Sequence, residues 1–80
     1  MSATIMTVAK LAAIKAVKRQ MQAQGLKLAH IERQTIMSAA NIYLRDHPEL
    51  IEQATETVRK VPQLRTLYER ELRRSGRNQR

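Results

Sequence analysis

The side chains able to move protons are few and scattered. Two histidines, His30 and His47, and seven carboxylates make up the acid–base set, and there is no cysteine. Glu49, Glu52 and Glu56 recur at i, i+3 and i+7, which lines one side of a helix. Beside basic neighbours, that pattern reads as a solvated acidic face making local ion pairs, not as a carboxylate pair closed on one substrate atom. His30 and Glu32 stand two residues apart and point to different sides of a helix. No His-x-x-x-His occurs, so no metal site is expected. His47 borders the turn before Pro48, and Gly25 and Gly76 are too isolated to build a phosphate-cradling loop or a nucleophile elbow. The expectation is a protein without catalytic residues, cofactor or metal.

The informative chemistry is cationic. Fifteen Lys and Arg against seven Asp and Glu leave a net charge of +8 on 80 residues. The excess is segregated. Residues 1–24 hold Lys10, Lys15, Lys18 and Arg19 with no acid, and residues 25–64 are neutral. Residues 65–80 hold Arg65, Arg70, Arg73, Arg74, Arg77 and Arg80 against only Glu69 and Glu71. Charge gathered at both ends speeds encounter with polyanions such as nucleic acid, an anionic membrane or an acidic protein, and also keeps a small protein soluble.

These groups must be positioned by helices. Gly and Pro occur twice each, and no segment alternates apolar and polar residues long enough for a strand, so the chain reads as all-α. A first helix runs from Thr4 or Thr7 to Gln24, with Leu11, Ile14, Val17 and Met21 on one stripe and Val8, Ala12 and Ala16 widening it. Its polar side carries Lys15, Lys18 and Arg19. Gly25 suits the left-handed residue that ends a helix, and Leu26 is its apolar partner. A second helix, from Leu28–His30 to Arg45, has so wide an inward arc (Ile31, Thr35, Ala39, Ile42; Ile36, Ala40, Tyr43, Leu44) that it is expected to be central and most buried.

Asp46-His47-Pro48-Glu49 combines a capping residue, a proline allowed only in a first turn and a glutamate able to bond back to the Asp. It opens a third helix, Pro48 to Lys60, with Leu50, Ile51, Ala54, Val58 and Val61 inward. Pro62 breaks helical geometry at Val61 and starts a short basic fourth helix to Arg74, bearing Leu64, Leu67, Tyr68 and Leu72. Ser75-Gly76 is expected to end it. The reading is one domain, residues 1–74, a small bundle of three main helices plus a short basic C-terminal helix, followed by a disordered basic tail at 75–80.

That length excludes barrel and doubly wound enzymes, and the apolar runs fall far short of the roughly 20 residues that cross a bilayer. The first 24 residues are amphipathic, basic and acid-free, as a mitochondrial presequence is, but removing them would leave too small a core, and a cytoplasmic protein is expected. A helix-turn-helix reading fails at Gly25, where Met21 occupies the small position and Gln20 and Gln24 the apolar ones. A register placing the turn at Asp46-His47 has Ala39 and Ile42 in suitable places but sets Tyr43 where the turn glycine belongs.

The expected function is therefore a small regulatory or accessory protein that binds duplex nucleic acid through Lys15, Lys18, Arg19, Arg70, Arg73, Arg74 and Arg77. A protein partner or second copy is expected on Leu11, Ile14, Val17 and Met21, because a ring-poor core of this size is only marginally stable alone. The competing function is an adaptor or inhibitor that takes an acidic or helical partner in an apolar groove. Membrane-surface association through the first helix is a third class.

Overall fold

Ser2 opens the first helix. Its backbone is extended and its hydroxyl accepts the Ile5 N–H at 3.1 Å, satisfying one of the donors that a helix start leaves free. The helix thus begins ahead of Thr4 and Thr7, at a residue the apolar pattern does not mark. The computed structural model describes residues 2–78, with side chains to Arg74. It is all-helical: α1 (Ala3–Ala23), a single 3₁₀ turn (Leu28–His30), α2 (Arg33–Asp46), α3 (Glu49–Lys60) and α4 (Pro62–Asn78).

The boundaries follow local chemistry. Gly25 has φ +84°, and the Leu26 N–H bonds to Met21 O at 3.0 Å while the Gly25 N–H bonds to Gln22 O at 3.0 Å. That pair of bonds is the glycine stop read from the sequence. The second helix starts later than expected. Leu28–His30 makes only one tight turn, and Ile31 and Glu32 are extended before α2 begins at Arg33. Nor does the Asp46 capping box form. Asp46 is the last residue of α2, and the His47 ring stacks on Tyr43 at 4.0 Å with its Nδ1 2.9 Å from the Tyr43 carbonyl. This end of α2 is closed by the imidazole, which leaves Asp46 outside the next helix, 3.8 Å from Arg45. At the other proline, Val61 is extended (φ −92°, ψ 114°) and α4 restarts at Pro62, as the ring sterics require.

α4 passes through Ser75-Gly76 to Asn78, so at 17 residues it is longer than α2 or α3. A lone glycine costs a helix only about 1 kcal/mol, and Gly76 is followed by Arg77, not by an apolar residue of the kind that follows Gly25. Of the tail expected at 75–80, Gln79 and Arg80 lie outside the described residues.

The central helix is α1, not α2. It packs against α2, α3 and α4, and α3 packs in turn on α4. The face of α1 that does this is Ile5, Ala9, Ala13 and Val17, spaced four apart, with both alanines at 0% exposure. Small side chains at a crossing let helices approach toward the short end of the usual 8–10 Å separation. Around them close Ala40 and Leu44 of α2 and Ala54 and Val58 of α3. Ile36 of α2 is buried as well. Four of these nine buried residues are alanines, and Val58 is the largest side chain that is fully enclosed. Ile42, expected inside, is 53% exposed. The molecule measures 50 × 25 × 22 Å with a radius of gyration of 15.1 Å, against about 12 Å for a rounded domain of this length.

Candidate interaction surface

α4 reaches the site through its own apolar stripe. Leu64 and Leu67 lie with Val8 and Leu11 of α1, while Arg70, Glu71 and Arg74 lie by Ala3 and Thr4. Rising numbers on α4 therefore meet falling numbers on α1, and the two helices are antiparallel. The seven residues after Glu71 span about 10 Å of helix at 1.5 Å each, so the end of α4 runs past the start of α1.

Glu71 fastens that junction. Its carboxylate accepts the Ser2 hydroxyl at 2.9 Å, the Thr4 N–H at 3.1 Å and the Ala3 N–H. An anion is here seated on the exposed N–H groups and positive dipole end of α1. The Thr4 side chain, the Thr4 and Ala3 N–H groups and the Ser2 hydroxyl hold the Glu71 carboxyl down at about 2 from an ordinary 4.5, against a smaller upward push from lost hydration. From the sequence, Glu71 was only one of two acids on a basic helix. Nothing local marks it, because its partners stand 67–69 residues away.

The stripe expected to meet a partner divides. Val17 is 5% exposed and belongs to this chain's own core, so it offers no surface. Ile14 and Met21 are half-buried against that core, and Leu11 stands out at 61% exposure. Those four residues straddle the edge of the alanine face, and the small Ala9 and Ala13 add little to the apolar periodicity although they are fully buried.

Leu11 is the crest of an apolar band with a shallow groove on either side. One groove, toward α4, has Thr7, Val8, Leu64 and Leu67; the other, toward α2, has Ile14, Ile31, Ile36 and Met37. Lys18 and Arg33 border the second groove, and Arg70 and Arg74 lie beyond Leu67. Lys15 and Lys18 follow Leu11 at i+4 and i+7 and share its side of α1. The cations thus form two clusters, one at each end of the band. From Thr4 to Lys18 they are about 21 Å apart along α1.

Lys15, Lys18, Arg19, Arg70, Arg73 and Arg74 are all exposed, while the Arg77 side chain lies outside the described ones. Among the described residues the ion pairs are Arg45 with Asp46 at 3.8 Å and Arg59 with Glu56 at 3.9 Å. Neither involves these six cations. Glu49, Glu52 and Glu56 are exposed on α3, which lines neither groove. Among the described residues no three His, Cys, Asp or Glu side chains come together as a metal site, and no helix is long and apolar enough to cross a membrane. No protein-family model, curated protein or solved structure matches the chain.

Proposed function

We propose that this protein is a small, non-catalytic regulatory or accessory protein that binds duplex nucleic acid through α4 and the basic half of α1. The observation that carries this reading is the state of its cations: Lys15, Lys18, Arg19, Arg70, Arg73 and Arg74 are exposed, and none is in an ion pair with a described carboxylate. Cations that are free in the protein release counterions when they meet phosphates, and that release drives sequence-independent binding. α4 runs past the start of α1, with Arg70 and Arg74 beside that start and Arg73 exposed, which suits a helix that lies along a phosphate backbone. Two clusters about 21 Å apart match about six base-pair steps of a duplex. No ring platform accompanies the cations, since Tyr43 is stacked on His47 and Tyr68 packs on the core, which favours duplex over single strand.

The test is retention of a 20-base-pair duplex of mixed sequence as salt is raised. Six phosphate contacts give a slope of about −5 in log K against log salt, and replacing Arg70, Arg73 and Arg74 by Gln reduces it by about 3. No binding in 20 mM salt, or a slope unchanged by the triple substitution, overturns the reading.

A further inference from the structure

A phosphate backbone has no use for the apolar band that lies between the two cationic clusters. Leu11 at 61% and Leu67 at 50% exposure are large aliphatic side chains held on the surface by helix packing, not by loop geometry. They are continuous across the α1–α4 groove, and the α1–α2 groove extends the band through Ile14, Ile31 and Met37. We propose that this band is the docking site for an amphipathic helix of a partner protein, one whose apolar stripe is flanked at both ends by Asp or Glu.

Shape and charge choose that occupant. A ridge with a groove on each side, built from three helices, accepts the side chains of a rod-like element, which is how helix-in-groove recognition works: anchors at i, i+3, i+4 and i+7 enter an apolar channel. About 21 Å between clusters corresponds to about 14 residues of helix, or four turns. Lys18 and Arg33 stand at one end and Arg70 and Arg74 at the other, and no described carboxylate lines either groove. Glu71, the acid that lies with Arg70 and Arg74 by Ala3 and Thr4, has both oxygens committed to the start of α1. A second copy of the chain would bring cations against cations at both ends of the band, since each end is basic. Like charges placed opposite one another suppress a wrong partner as effectively as complementary ones select a right one.

The experiment uses two synthetic 16-residue helices with Leu at i, i+3, i+4 and i+7, one with Glu at its terminal turns and one with Lys there. Fluorescence anisotropy follows their binding to the full chain, to Leu11→Glu and to Arg73→Gln, all checked for unchanged helix content by circular dichroism. The expected result is binding of the Glu-flanked helix, at least tenfold weaker binding of the Lys-flanked one, and at least tenfold loss on Leu11→Glu. Arg73→Gln, away from the band, leaves helix binding unchanged while weakening duplex retention, so this proposal and the nucleic-acid reading fail separately. The proposal is overturned if the Glu-flanked helix does not bind at 0.5 mM protein, or binds Leu11→Glu equally well. It is also overturned if the chain is a dimer that Leu11→Glu dissociates. Leu11-dependent binding to phosphatidylserine vesicles with no helix binding overturns it as well, by assigning the band to a membrane surface.

Discussion

α1 and α4 are both long, basic and amphipathic, yet they are held in opposite ways. α1 is gripped by the other three helices through alanines and valine, and its large aliphatic residue Leu11 is left outside. α4 contributes no buried residue among those whose side chains are described; it rests on α1 and α3 through half-buried Leu64 and Tyr68 and the polar clamp at Glu71. The contrast separates two uses of one pattern. In α1 close packing supplies stability, and Lys15, Lys18 and Arg19 ride on the second half of the helix. In α4 the packing is partial, and its cations lie exposed beside the start of α1.

The largest effect should come from emptying the side of the core that α1 relies on. Leu44→Ala removes a buried α2 side chain from the cluster around Val17 and Ala13 and should cost about 2–5 kcal/mol in urea unfolding, enough to unfold a domain of this size. Two residues earlier, Ile42→Ala should change stability by no more than about 0.5 kcal/mol, because Ile42 is half in solvent. Equal losses at the two positions would mean that α2 is buried on both faces.

Next in size is overfilling the α1 crossing. Ala13→Leu places three further carbons where the alanine has no exposed surface, and overpacking of this kind should cost about 1–3 kcal/mol by the same measurement. A neutral result would show that the three helices do not close on α1 as described.

The smallest effect, and the one that probes α4 alone, is the clamp. The Glu71 carboxyl titrates at about 2 in the folded chain and near 4.5 when free, so the folded state binds its proton less readily than the unfolded one. The stability it contributes is fully present above pH 4.5 and is lost as pH falls from there through 2. Glu71→Gln should lower the melting temperature at pH 7 and much less at pH 2, and the protection of α4 amides against exchange, relative to their intrinsic rates, should fall in the same pH window. Because Glu71 is only half-buried, the shift should be modest and salt-sensitive. A Gln variant with the wild-type pH profile would remove the clamp from the account of why α4 stays on α1.

Much of this molecule was legible in its residues. Helix number, the stop at Gly25, the restart at Pro62 and the neutral middle between two basic ends all follow from interactions spanning a few residues, or from counting. Such features need only local backbone chemistry. Tertiary structure alone decided that α1 is central, that Val17 belongs inside and Leu11 outside, and that Glu71 caps a helix 68 residues away. The physical reason is the same in each case. Hydrophobic periodicity weighs side chains by size, whereas helices pack closest over small ones, so alanines that carry little signal set the core. A carboxylate's partner, likewise, is chosen by where two helix ends meet, which no spacing along the chain encodes.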